Sequence, residues 1–237
     1  MPDDVLFHQE PLRAKSECII AITANNFLTA EHIKTNTLCI NGNTADKMKL
    51  KDIAHIRAGH AFRKKLINDP GHQTQVIQMK DLQLNGEIKW GSMIKTAPAA
   101  ISREWVKKAD LLLVSRGANN TAYYIGEEPP APSLAAPYFF HITLLPRALE
   151  AIEPEFIAWQ LNQKPIQDYF RKNAEGSTSK AIRREIVENV EIVVPPIKQQ
   201  RCIFSLNNNI ARQRRAHEQL IDNNEVLMSK IASDLLK

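Results

Sequence analysis

The stretch Asn189–Ile203, NVEIVVPPIKQQRCI, decides how this chain is organised. Val190, Ile192 and Val194 alternate with Glu191 and Val193, a period-two pattern rich in β-branched residues that predicts a strand. Pro195 and Pro196 stop it. Proline lacks the amide proton that a sheet ladder needs, and its fixed φ suits the first turn of a helix, so a strand ends here and a helix begins. Beyond Pro196, roughly 40 residues pass without a proline or a glycine, which at about 1.5 Å per residue makes a helix of roughly 60 Å. The expected fold class is therefore α+β: a mixed-sheet domain followed by a long C-terminal helix.

That helix carries a partial heptad seam. With Ile203 at an a position, Ile210, His217, Asn224 and Ile231 take the later a positions, and Leu206, Gln213, Leu220, Leu227 and Asp234 fall at d. Polar residues at a fix register and partner at a cost in stability, so His217 and Asn224 suit one selected antiparallel or intermolecular pairing. A surface helix lying along its own domain is the alternative.

Length and composition bound the rest. The chain's 237 residues, 43% of them hydrophobic, hold one sizeable core plus an appendage, or two small domains. A net charge of +5 favours an acidic partner such as nucleic acid, a mildly basic surface being the plainer alternative. Cys18, Cys39 and Cys202 are odd in number, far apart and without CxxC spacing. Neither a disulfide framework nor a zinc site follows, and a reducing cytosol fits best. The opening MPDDVLFHQEPLRAK has no basic stretch leading into an apolar core, and no run approaches the roughly 18 apolar residues of a membrane span. Secretion and membrane insertion are not expected.

Residues 1–47 are read as an N-terminal extension of uncertain role, in which CIIAITA suits a strand and NGNT a turn. LKDIAHIRAG forms a short amphipathic element closing on Gly59, and Asp69-Pro70-Gly71 marks a turn. QVIQMKDL and EIKW read as two strands of a hairpin joined through Asn85-Gly86. SREWVKKADLLLV contains a short helix and then the buried run Leu111–Val114; the loop after it is polar and exposed, flanked by Arg116 and Tyr123-Tyr124. YFFHITLL is a second buried strand. Glu153-Pro154-Glu155 opens a helix whose Phe156, Ile157, Trp159, Leu161 and Ile166 suit packing on a sheet. The basic, hydroxyl-rich AEGSTSKAIRREI follows.

In succession, LKDIAHIRAGHAF, VIQMKDLQLNGEI, WVKKADLLLVSRGANNTAYYIG, IEPEFIAWQLN, GSTSKAIRREIVENVEIVVPP and PPIKQQRCI resemble, in order, the segments of the specificity (S) subunits of type I restriction-modification enzymes. The resemblance covers Leu50 to Lys237. One departure is Gln199, where the family's PPxxEQ junction has Glu before Gln. Another is length, because a full S subunit carries two target-recognition domains and two helical spacers, whereas here there is one of each. The resemblance implies a target-recognition domain over 48–196 and a helical spacer and dimerisation arm over 197–237. It looks like a half-length S subunit, which would dimerise in an antiparallel coiled coil through Ile203, Leu206, Ile210, His217, Leu220, Asn224, Leu227 and Ile231. The implied partners are double-stranded DNA, methyltransferase (M) subunits and restriction (R) subunits, in a prokaryotic cytoplasm. Two identical domains on a two-fold axis would read a bipartite palindromic site.

The residues expected to meet DNA lie in three clusters: Arg63, Lys64 and Lys65; Arg116, Asn119, Asn120 and Tyr123; and Ser177, Thr178, Ser179, Lys180, Arg183 and Arg184. Arginine contacts guanine and asparagine contacts adenine with paired hydrogen bonds, while Lys, Ser and Thr mostly hold phosphates. A solvated surface loop is the plain alternative for each. No catalysis, cofactor or metal is expected in this chain. Amino-methylating methyltransferases resemble one another in an Asn/Asp-Pro-Pro-aromatic tetrad, and Val194-Pro195-Pro196-Ile197 lacks both its polar and its aromatic member. The competing enzymatic reading is a metal-dependent nuclease using Asp81, Glu87 and Lys89, the loosest form of a PD-(D/E)xK spacing, at positions where a hairpin would leave them exposed.

Overall fold

The computed structural model describes residues 45–62, 66–82, 88–97, 105–117, 119–176 and 180–236. The chain divides into two units, Met1–Asn43 and Thr44–Lys237, and the described residues all belong to the second. The strand and turn expected in CIIAITA and NGNT lie outside the described residues.

The strands are β1 (Asp46–Lys49), β2 (Ala54–Ala58), β3 (Thr74–Ile77), β4 (Ile94–Thr96), β5 (Leu111–Val114), β6 (Ala122–Tyr124), β7 (Ser133–Ala135), β8 (Phe139–Leu144) and β9 (Glu191–Val194). The helices are α1 (Leu50–Ile53), α2 (Pro146–Leu149), α3 (Pro154–Leu161), α4 (Lys164–Asn173), α5 (Arg184–Glu188) and α6 (Ile197–Leu235).

β5 is central. Its four apolar residues are all buried because both faces of the strand are covered. It sits in an antiparallel sheet of order β2-β8-β5-β6. Side chains alternate across this sheet, so Ile56, Leu111, Leu113, Phe140 and Ile142 pack against Phe156, Ile157 and Leu161 of α3, Phe170 of α4 and Val187 of α5. From the other face Leu112, Val114, Tyr123 and Phe139 meet Val76 and Ile77 of β3 and Ala135 of β7. That second sheet, β4-β3-β7, is mixed: β3 runs antiparallel to β4 and parallel to β7. The domain is thus a layer of helices, a four-stranded sheet and a three-stranded sheet with two apolar cores between them.

Several local expectations shift. β3 pairs with β4 and β7 rather than with EIKW, and Leu82 and Ile88 make only a single bridge. The Asp81 carboxylate accepts the Gln78 amide at 2.9 Å and folds Met79–Asp81 into a 3-10 turn, which ends the strand early. Asn85-Gly86 lies outside the described residues. No helix precedes β5 among the described residues: Trp105 bridges Leu134, and Lys107–Asp110 turns, with Asp110 Oδ2 accepting the Lys107 amide at 2.8 Å. The helix opened by Pro154 ends at Leu161, and Ile166 belongs to the separate α4, which Pro165 starts. LKDIAHIRAG is one helical turn followed by strand β2.

The junction around the two prolines has the expected order, β9 followed at once by the 39-residue α6, about 58 Å long at 1.5 Å per residue. β9 pairs antiparallel with β1, Asp46 opposite Val194 and Lys47 opposite Val193, so the expected boundary at 47/48 falls inside a strand. The Gln160 side chain on α3 pins this base by accepting the Val193 amide and donating to the Val193 carbonyl, both at 2.8 Å. Asn162 does the same for the outer strand of the large sheet, exchanging two 2.8 Å hydrogen bonds with the backbone of Ala122. Among the described residues no helix is long and apolar enough to cross a membrane.

Candidate functional site

Two of the three polar clusters come together. Arg116 bridges Ala181, the Gly117 amide donates to the Lys180 carbonyl at 3.1 Å, and the Ile182 amide donates to Ser115 at 2.9 Å. The loop after β5 is thereby stitched to the segment before α5. Gly117 and Gly176 hold φ of +133° and +112°, backbone that favours glycine and lets both segments turn sharply beside each other. Arg116, Asn119, Lys180, Arg183 and Arg184 are exposed there. Two of these cations have internal carboxylates: Arg183 lies 2.5 Å from Glu175, a pair well exposed to solvent and hence weak, and Arg184 lies 2.6 Å from the partly buried Glu188.

Asn120 and Tyr123 sit apart from this surface, each 7% exposed. Asn120 Nδ2 donates to the Val114 carbonyl at 2.8 Å and its own carbonyl accepts from Gln167, so its amide braces the loop from within. The Tyr123 ring belongs to the core between the sheets. Arg63, Lys64, Lys65, Ser177, Thr178 and Ser179 lie outside the described residues.

The second candidate surface is α6. Ile203 still packs on the domain core, whereas Leu206 (36%), Ile210 (53%), Leu220 (57%), Leu227 (55%) and Ile231 (42%) are exposed. His217 and Asn224 are exposed as well, and from Ala216 to Leu236 every residue is. The outer half of the helix therefore does not lie along the sheet domain. Ile221 and Met228, at e positions, are exposed beside the heptad seam, so the apolar stripe is broader than an a/d pattern alone suggests.

Of the nuclease triplet, Asp81 is not at the surface. Asp81 is 1% exposed, its carboxyl is raised above the ordinary range chiefly by burial, and it caps a turn. Lys89 is exposed and Glu87 lies outside the described residues. No group of three or more His, Cys, Asp or Glu able to hold a metal occurs among the described residues.

The sequence reading passed over the amides that lock the junction. Gln200 is fully buried: Oε1 accepts the Glu153 amide at 2.9 Å, and Nε2 donates to Ala151 and Pro195 at 2.8 and 2.7 Å. Arg201 adds an ion pair to Glu153 at 2.6 Å.

The α+β domain thus gathers basic loop residues on one surface and extends an apolar-striped helix whose outer half is exposed. The model of the family described as the type I restriction modification DNA specificity domain matches residues 43–225, and the chain belongs to that family. A solved structure concerning complex assembly and conformational transition of the type I R-M system has a TM-score of 0.59 at 14% identity, covering 92% of this chain and 50% of that one. The HsdS subunit from Thermoanaerobacter tengcongensis has a TM-score of 0.51 at 14% identity, covering 88% of this chain and 49% of that one. The chain thus spans about half the length of the solved structures it matches, and the likeness extends through the fold. Among curated proteins no sequence matches.

Proposed function

We propose that the chain is the non-catalytic, DNA sequence-recognition component of a type I-like restriction-modification system in the prokaryotic cytoplasm. In this reading residues 48–196 are the target-recognition domain and 197–237 the spacer and dimerisation arm. Arg116, Asn119, Lys180, Arg183 and Arg184 meet the duplex, with Arg63, Lys64, Lys65, Ser177, Thr178 and Ser179 completing the contact set. Asn120 and Tyr123 support the loop from beneath. Methyltransferase and restriction subunits supply the chemistry. A second copy pairs through α6, and the homodimer reads a bipartite palindromic site. The observation that carries this reading is the family match, which runs unbroken from the sheet domain into the exposed helix.

Selection of duplexes from a random pool, followed by affinity measurement over a salt series, tests it. The expected result is a two-part palindrome bound far more tightly than random duplex, with a chain mass of two copies by light scattering. Equal affinity and equal salt slope on selected and random DNA would sink the reading. A monomer at micromolar concentration, with and without DNA, would remove the homodimer.

A further inference from the structure

Tyr123, Leu112, His141 and Arg57 form one row across the four-stranded sheet, each directly opposite the next in register. The row begins in the apolar core, where Tyr123 and Leu112 pack under the second sheet, and ends on polar side chains. His141 is 3% exposed, and its Nε2 lies 2.7 Å from the Oδ2 of Asp110, itself 4% exposed. A carboxylate that already accepts the Lys107 amide can only accept again, so the imidazole presents Nε2–H to Asp110 and keeps Nδ1 for its other side.

Arg57, Gly59, His60, Ala135 and His141 line a cavity of about 240 Å³. Its wall is stiff: the Gly59 amide donates to Phe139 and the His60 amide to Ala135, both at 2.8 Å, and a Cβ on Gly59 would stand 2.0 Å from the Ala136 carbonyl oxygen. The His60 ring meets Phe62 edge-on at 4.7 Å. Arg57 Nη2 donates to Thr143 at 3.2 Å, yet its Nε is buried with no acceptor among the described residues. No carboxylate, hydroxyl or thiol is among the lining residues, which rules out an Asp–His–nucleophile arrangement there. The cavity holds the volume of roughly eight waters at about 30 Å³ each, more than one bridging water needs.

A guanidinium with no carboxylate at the wall favours an acceptor-rich anion, and the unsatisfied Arg57 donor calls for one. We propose that this cavity is a phosphate-binding site, and that on the chain's DNA it takes one backbone phosphate, held by Arg57 with His60 and His141 beside it. The DNA source rests on the proposed function; the phosphate chemistry does not.

Full-length protein is compared with Arg57→Gln and Arg57→Lys, each checked by circular dichroism for an unchanged fold, and with His60→Gln as a less buried second variant. Duplex binding is measured over a salt series, and imidazole nitrogen resonances are followed during titration with inorganic phosphate. The expected result is that Arg57→Gln flattens the slope of log K against log salt by about 0.9 while Arg57→Lys keeps it, as for one lost phosphate contact. Inorganic phosphate then shifts the His60 and His141 resonances in the parent and not in Arg57→Gln. Shifted resonances with an unchanged slope support the phosphate site and assign it to a free anion. Shifted resonances in a protein that binds no duplex support the site and reject the DNA-recognition function. Unshifted resonances together with an unchanged slope overturn the proposal.

Discussion

Gln200, in the first turn of the long helix, holds the backbone of Glu153, the residue that precedes α3: the side-chain oxygen accepts the Glu153 amide at 2.9 Å. Its nitrogen donates to the carbonyls of Ala151 and Pro195, so one fully buried amide joins three points of the chain around the root of α6. A direction imposed at the root of a helix carries along its length, and this amide sets that direction.

Removing that side chain leaves an amide and two carbonyls short of partners in a buried place. Gln200→Ala is expected to cost about 2–4 kcal/mol, since each orphaned buried group costs roughly 1–3 kcal/mol and some will find water. The urea midpoint should fall with little change in m. Gln200→Glu should also destabilise, because its carboxylate would face the Ala151 and Pro195 carbonyls. A midpoint unchanged in both variants would refute the clamp.

Asn162 closes the open edge of the large sheet by pairing both backbone groups of Ala122. Asn162→Ala is expected to cost about 2 kcal/mol. Hydrogen exchange at the Ala122 amide should accelerate more than at Leu113, which lies opposite it on the inner strand β5. Equal acceleration at both positions would point to general loosening instead.

Ala109 holds φ of +71°, a left-handed conformation that a Cβ opposes. It does so because its amide donates to Ile125 at 2.8 Å while Asp110 closes the turn. Relief of about 1–2 kcal/mol of strain, less glycine's greater unfolded freedom, leaves Ala109→Gly more stable by about 0.5–1 kcal/mol. Thermal denaturation reads the sign directly, and a lower midpoint would contradict the strain.

Glu155 titrates above its ordinary 4.5, first because it is buried and next because Glu153 repels its charge, with the Tyr124 hydroxyl and Arg201 opposing. Tyr124 is pushed up to about 12 by burial and by the same carboxylates. The folded protein keeps the Glu155 proton where the unfolded chain has lost it. This group's contribution is therefore fully present below pH 4.5 and is lost as pH rises through the raised folded value. Glu155→Gln should flatten that fall and stabilise the protein at pH 7 relative to pH 4. Parallel pH profiles of urea midpoints in parent and variant would show that the carboxyl is not the source.

Much of the scaffold was legible. The β9–α6 junction could be read because two prolines act through local chemistry that no distant contact overrides. Leu111–Val114 and Phe139–Leu144 could be read because continuous apolar runs have only a doubly covered strand to occupy. The partners of β3 were not legible, because the Asp81 carboxylate folds Met79–Asp81 into a turn right after it and its neighbours β4 and β7 come from elsewhere in the chain. Side-chain amides were hardest to place: Gln160, Asn162 and Gln200 look like solvated helix residues in sequence, and only the tertiary fold aims them at backbone groups. The same blindness applied to Asn120, whose polar neighbours suggested an exposed loop. Nor does spacing along the chain reveal that Arg116 bridges Ala181.

The pairing of β1 with β9 gives the sheet domain a single doorway. Chain passes in at Asp46 and out at Val194, directly opposite each other, and Gln160 latches the outgoing side. Everything inside that doorway behaves as a cassette. Of its loops, the one that carries Ala151 and Glu153 reaches back to Gln200, and so helps fix the angle at which the helix leaves.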